Sequence, residues 1–161
     1  MNTYPKKIEN VSVEYVSNTN YEFKTEQTNG HKNPSSKTFD IHTTIQQTFL
    51  PLDSFSNIKT LEKELSMDIE YASMIIQHSG SINIPHKDEF FRLKDKTRNK
   101  VRANIFLTDW EFGQIVETEC RTITKWKKYN AYVWDNKQYH FAVNFSQSDK
   151  ITLQFSGYSY D

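Results

Sequence analysis

The sequence predicts a mainly β domain, a barrel or two-sheet sandwich braced by a small number of α-helices. Three observations carry that expectation. Residues suited to pleated surfaces are abundant: aromatic residues make up 14% of the 161 residues, whereas Gly and Pro number 4 each. Beyond residue 67 nearly every segment is a short run of strand character closed by a turn cluster. Only the stretch 52–66 carries apolar residues at helical spacing.

Taken in order, residues 8–16 (Ile8 to Val16) alternate as a strand does, and Tyr21 to Thr25 read as a second strand. Residues 26–38, with Asn29-Gly30 and Asn33-Pro34, form a long polar loop, and Phe39 to Phe49 reads as strand again. In 52–66, Asp53 or Ser54 serves as cap. Ile58, Leu61 and Leu65 form the apolar stripe, with Lys59, Glu62 and Lys63 on the wet side, so the helix braces the outside of a sheet. Ile69 to Gln77 is a strand, Ser79-Gly80 a turn or bulge, and Ile82 to Ile84 lead into Pro85-His86-Lys87-Asp88. Residues 92–100 are a charged loop. Val101 to Thr108 alternates clearly, with Val101, Ala103, Ile105 and Leu107 on one face and Arg102, Asn104, Phe106 and Thr108 on the other. Gln114 to Glu119, Arg121 to Thr124, Ala131 to Trp134, Tyr139 to Phe145 and Lys150 to Phe155 complete the set of strands. A jelly roll of the cupin type accommodates this order.

The bulk numbers bound the function. A chain of 161 residues makes one domain, here 1–161, with N-terminal strands and the bracing helix in 1–66 and a core barrel in 67–161. Charge balances at 20 basic and 20 acidic residues, which removes any electrostatic case for a nucleic-acid or anionic-membrane partner. The single cysteine, Cys120, excludes a disulfide scaffold and suits a reducing compartment as a packed thiol. No run is long and apolar enough for a membrane span or a signal peptide, so a cytoplasmic protein is expected.

The chemistry concentrates around His86 and Asp88. Side chains two apart in an extended segment leave the same face, so an imidazole and a carboxylate point at one object. A metal taking nitrogen and oxygen donors suits them, and a distant His on another strand completes a three-ligand face. His140 is that candidate; it shares a strand face with Ala142 and Asn144, against a core-like face of Phe141, Val143 and Phe145. In the last strand Lys150, Thr152 and Gln154 share one face and Ile151, Leu153 and Phe155 the other. With both polar faces inside the barrel, the interior holds a metal triad and a fixed cation. That combination suits a chelating dianion with one end on the metal and the other on the ammonium.

From Gln77 to Tyr158 the chain resembles the iron(II)- and 2-oxoglutarate-dependent oxygenases, whose pattern is His-x-Asp, a distal His, and a basic residue about one strand later. Here these read His86-Lys87-Asp88, His140 and Lys150, the last followed by Thr152, and Trp126 to Asp135 is similar to the loop and strand before the distal His. The resemblance implies a double-stranded β-helix. It also implies Fe(II) on His86, Asp88 and His140, and 2-oxoglutarate as cosubstrate, with ascorbate as a supporting reductant. The usual basic residue is Arg; Lys150 resembles the variant of the collagen-type prolyl 4-hydroxylases. On that pattern the oxoacid is held by Lys150 and Thr152 with help from a tyrosine, Tyr71 or Tyr132, and strand parity adds Asn104 and Arg102 as cosubstrate or substrate contacts. The implied reaction hydroxylates an amino-acid side chain, prolyl or another, free or peptidyl, or a small molecule, and releases succinate and carbon dioxide.

Two other classes remain open: a cupin-type metal enzyme that uses no oxoacid, and a non-catalytic jelly-roll binding module. The first needs the triad without Lys150 or Thr152; the second needs neither. His31, His42 and His78 are read as surface or structural, and Trp110 and Trp126 as packing residues at turns. Any lid is expected from 26–38 or, better, from 89–100. The second is mostly basic, with Arg92, Lys94, Lys96, Arg98 and Lys100 against Glu89 and Asp95, a balance able to meet an acidic group.

Overall fold

In the computed structural model, which describes residues 5–15, 45–88, 90 and 92–160, the alternating runs form ten strands. They are β1 (Lys6–Ile8), β2 (Ile45–Leu50), β3 (Met67–Gln77), β4 (Ser81–His86), β5 (Lys100–Phe106), β6 (Gln114–Thr118), β7 (Arg121–Ile123), β8 (Ala131–Asp135), β9 (His140–Asn144) and β10 (Lys150–Ser159). One α-helix, α1 (Ile58–Leu65), follows a short 3-10 turn at Leu52–Ser54. All strand pairs are antiparallel. Six strands form one sheet in the order β1-β8-β5-β10-β3-β2, and four form a second in the order β4-β9-β6-β7. The fold is a double-stranded β-helix, the jelly roll of the cupins.

Strand parity divides the core in two. On β5, Val101, Ala103 and Ile105 turn outward with Leu153 and Phe155 of β10, and meet Leu61 and Leu65 of α1 in one apolar cluster. The opposite faces of the same strands look toward the second sheet. There Phe106, Val116, Ile123, Trp126, Tyr132 and Trp134 form a smaller aromatic cluster, with Phe106 and Trp126 stacked at 4.0 Å. The helix therefore braces the outside of the large sheet, as its apolar spacing requires.

Gly157 marks the one place on β10 where the strand spacing breaks. The register with β3 shifts between Ser156 and Gly157, and a Cβ there would lie 1.8 Å from the Asp68 carbonyl oxygen. Only glycine permits that approach.

Some expectations need correction. The strand expected over 8–16 is confined to β1, Lys6–Ile8; Ser12 and Glu14 are held instead by Asn57, which donates to the Ser12 carbonyl at 2.7 Å and accepts from the Glu14 amide at 3.3 Å. Side-chain anchoring replaces a sheet ladder there. The helix expected over 52–66 divides at Phe55, whose extended backbone ends the first turn, and Asn57 precedes α1. Glu62 is buried rather than wet, because it accepts hydrogen bonds from the Ile69 amide at 3.3 Å and from Lys59 at 2.8 Å. Phe145 lies just past β9 and is 59% exposed, so it leaves the core face. Cys120, in the β6–β7 turn, is exposed and not packed. Tyr21 to Thr25, the loop 26–38, residues 39–44, His31 and His42 lie outside the described residues. His78 is structural: its Nδ1 meets Asp149 at 2.9 Å. Among the described residues no helix is long and apolar enough to cross a membrane.

Candidate metal centre

β4 is an edge strand of the small sheet, so it tolerates Pro85 without losing a ladder bond. Its pairing with β9 shifts between Asn83 and His86, and the shift sets His86 directly opposite His140. The two imidazole rings lie 4.4 Å apart. Asp88, two residues past the strand and buried, completes the group: its Oδ1 is 3.8 Å from His86 Nε2, and its Oδ2 is 3.7 Å from His140 Nε2. One donor atom from each of the three residues lies within 4.8 Å of the others.

The donor set fits a divalent transition metal. His86 Nδ1 is 2.7 Å from the Ile84 carbonyl, and His140 Nδ1 is 3.3 Å from the Gln138 carbonyl. Each contact places the ring proton on Nδ1 and leaves Nε2 as a lone-pair donor facing Asp88. Burial holds the His140 pKa below its ordinary value, against the opposing pull of Asp88, and a neutral imidazole is the metal-binding form. Two imidazole nitrogens and one carboxylate match the facial arrangement typical of non-haem iron.

Two further residues hold Asp88, and sequence reasoning did not pair either with it. Arg102 Nη1 donates to Asp88 Oδ1, and Trp134 Nε1 donates to Oδ2 at 3.4 Å. The two are direct neighbours in the β5–β8 register. Arg102 also lies over the Phe90 ring at 4.6 Å and donates from Nε to Ser156 at 3.3 Å. Parity had placed Arg102 inside the barrel, but the identity of its partner depends on how two sheets meet.

The triad lines a cavity of about 580 Å³ between the sheets, together with Lys150, Thr152, Asn104 and Arg102. All seven residues singled out from the sequence therefore reach one space. Tyr71 lines it too, whereas Tyr132 is packed edge-on against Phe106 at 6.0 Å and lies outside the lining. Across the wall runs a hydrogen-bond chain. Gln47 donates to Ser73 at 3.0 Å, Ser73 to Gln154 at 3.4 Å, and Gln154 to Asn104 at 3.0 Å. Lys150 is 3% exposed, and its side chain makes no hydrogen bond or ion pair to any described residue. Burial alone pushes its pKa down to about 7. Among the described residues the buried Lys150 amine therefore faces the cavity with its desolvation uncompensated.

Phe90, Leu93 and Asp95 of the segment expected as a lid are anchored at the rim. Phe90 and Leu93 are buried against Tyr158 and Tyr71, and the Asp95 amide donates to the Tyr158 hydroxyl at 2.9 Å. Phe90 sits at φ 47°, a conformation rare for a side chain of its size.

No protein-family model and no curated protein sequence matches this chain. Solved structures do share its fold. The viral collagen prolyl hydroxylase of Paramecium bursaria Chlorella virus-1, solved with 2-oxoglutarate, aligns at 12% identity and TM-score 0.56, over 73% of this chain and 80% of that one. A prolyl-4-hydroxylase of Pseudomonas putida aligns at 12% identity and TM-score 0.53, over 72% of each chain. The α-ketoglutarate-dependent carbocyclase SnoK of nogalamycin biosynthesis aligns at 11% identity and TM-score 0.55, over 73% of this chain and 64% of that one. At these identities the likeness is one of fold.

Proposed function

We propose that this chain is an Fe(II)- and 2-oxoglutarate-dependent oxygenase that hydroxylates an amino-acid side chain, prolyl among the candidates, or a small molecule. The observation that carries the reading is a single cavity lined both by the His86, Asp88 and His140 donors and by the buried Lys150 amine, which has no side-chain partner among the described residues. A metal enzyme without an oxoacid does not require that buried amine. The prolyl hydroxylases and the α-ketoglutarate-dependent carbocyclase of the same fold add support.

His86 Nε2, His140 Nε2 and an Asp88 oxygen would hold the iron. Bound there, Fe(II) supplies the oxidising chemistry, coupling insertion of one oxygen atom of dioxygen into a substrate C–H bond to conversion of 2-oxoglutarate into succinate and carbon dioxide. The protein's own groups bind and orient. Lys150, charged once a carboxylate reaches it, pairs with the distal carboxylate of the oxoacid, and the Thr152 hydroxyl donates beside it. Arg102 and Trp134 keep Asp88 aimed into the cavity. Ile75, Phe106, Val116 and Ala142 furnish an apolar wall that excludes water and strengthens each charged contact.

The test measures 2-oxoglutarate binding with Mn(II) present or absent, and succinate formation with Fe(II) and ascorbate, in wild type, His140→Ala and Lys150→Ala. Binding that needs metal, is lost in His140→Ala, and weakens about a hundredfold in Lys150→Ala is the expected result. Metal binding without any oxoacid binding would overturn the reading in favour of a cupin-type metal enzyme.

A further inference from the structure

Three arginines lie over aromatic rings: Arg98 over Tyr158 at 4.7 Å, Arg102 over Phe90 at 4.6 Å, and Arg92 over Phe49 at 3.6 Å. The first two also hold carboxylates, Asp68 and Asp88 respectively. Arg92 has no anionic partner among the described residues. A second ring, Tyr71, lies 5.8 Å away on the same guanidinium.

The position of Arg92 gives this difference a meaning. Arg92 is exposed yet lines the cavity with Phe49 and Tyr71, so it stands on the rim. Lys87 is also exposed and lines the cavity, its ammonium over the Tyr139 ring at 4.3 Å with no carboxylate beside it among the described residues. Among the described lining residues the cations are Lys87, Arg92, Arg102 and Lys150, and the one carboxylate, Asp88, already holds Arg102. A guanidinium held over a ring keeps its charge and its N–H donors, and its freedom is already reduced. That fork matches a planar carboxylate or a phosphate bidentately.

We propose that Arg92 receives an oxyanion of the primary substrate, so that the substrate is an acid whose carboxylate or phosphate stays at the rim while its reacting carbon enters the cavity. Lys87 contributes a second, less directional charge. The word substrate rests on the oxygenase reading above; the anion site itself rests on Arg92.

The test uses the full chain labelled with ¹⁵N and follows the arginine Nε–H resonances. Three probes are titrated: N-acetylglycine, its neutral isostere N-acetylglycinamide, and inorganic phosphate. The Lys150→Met variant serves as a parallel background, so that anions bound by Lys150 do not enter the measurement. Saturable shifts of the Arg92 resonance with N-acetylglycine or phosphate are expected, at least about tenfold tighter than with the amide, and retained in Lys150→Met. The stronger of the two anions identifies the carboxylate or phosphate class. Read on backbone amide resonances at the rim, Arg92→Gln weakens the binding about tenfold, and Arg92→Lys keeps part of it but loses the preference for a planar carboxylate. Equal binding of acid and amide, or an Arg92→Gln affinity within about twofold of wild type, would overturn the proposal and leave Arg92 as a cover for Phe49. Failure of metal-dependent 2-oxoglutarate binding in the same samples would remove the oxygenase reading alone, since the Arg92 shifts do not depend on it.

Discussion

Arg102 on β5 and Asp88 just past β4 form an ion pair between the two sheets, with side chains only 14% and 5% exposed. The pair gives the buried carboxylate a countercharge supplied by the protein itself. Removing the guanidinium leaves Asp88 uncompensated, which typically costs about 3 kcal/mol. Arg102→Met is therefore expected to melt well below wild type. A divalent cation restores the missing charge, so added Mn(II) should raise Tm more in Arg102→Met than in wild type. Calorimetry with and without Mn(II) checks this; equal metal shifts in both proteins would show that Arg102 does not act through Asp88.

Lys150 makes stability depend on pH. Its folded pKa, about 7, lies below the ordinary 10.5. Between those values the unfolded chain holds a proton that the folded chain has released, so stability rises with pH. Below about 7 the cost of the buried charge is carried in full. Lys150→Met should accordingly be more stable than wild type at neutral pH, by an amount on the order of a few kcal/mol, with the gap closing toward pH 10. Urea midpoints from pH 6 to 9.5 measure it. The same residue should take up about one proton when an oxoacid binds at pH 8 to metal-loaded protein, read as a buffer-dependent enthalpy in calorimetry. Uptake should vanish in Lys150→Met.

Trp134 reports on the metal. Its indole donates to Asp88 at 3.4 Å, and its ring centroid is 5.1 Å from that of His140. Paramagnetic Ni(II) bound to the triad should quench its emission. Trp134→Phe should abolish that component and weaken metal affinity about tenfold through loss of the hydrogen bond to Asp88. Quenching unchanged in Trp134→Phe would place the metal elsewhere.

Gly157→Ala tests the break in β10. The added carbon would meet the Asp68 carbonyl at 1.8 Å, backbone against backbone, with no side chain able to yield. A loss of roughly 3 kcal/mol or more is expected, seen as a lowered urea midpoint. A Gly157→Ala protein as stable as wild type would mean that β3 and β10 separate there at little cost.

Much of this architecture was legible because period-two alternation is a local signal. Val101, Ala103 and Ile105 against Arg102 and Asn104 separated the two faces of β5 and put Arg102 and Asn104 toward the cavity, and the structure follows that division. His86 and Asp88 were legible as an i, i+2 pair aimed at one object, and His140 by the parity of β9, although Asp88 stands past the end of β4. What escaped was set by contact between distant segments. Asn57 anchors Ser12 and Glu14 in place of a strand ladder, and nothing local announces that. Glu62 reads as solvated at its helical position, yet the Ile69 amide reaches it from the start of β3. Arg102 could be aimed inward from sequence, but not assigned to Asp88, because that partner arrives from the other sheet. Cys120 looked like a packing residue by type; its place in a tight turn overrides that preference.

The oily mass that α1 seals against the back of the large sheet is separate from the polar side chains facing the hollow. Mutational tolerance should divide along the same plane. Re-lining the hollow at Gln47, Asn104 or Thr152 changes what is admitted without touching the residues that keep the shell closed. A library confined to those inward positions should thus yield mostly well-folded proteins with altered ligand preference, whereas the same diversity spent at Leu61 or Phe155 should yield mostly insoluble ones.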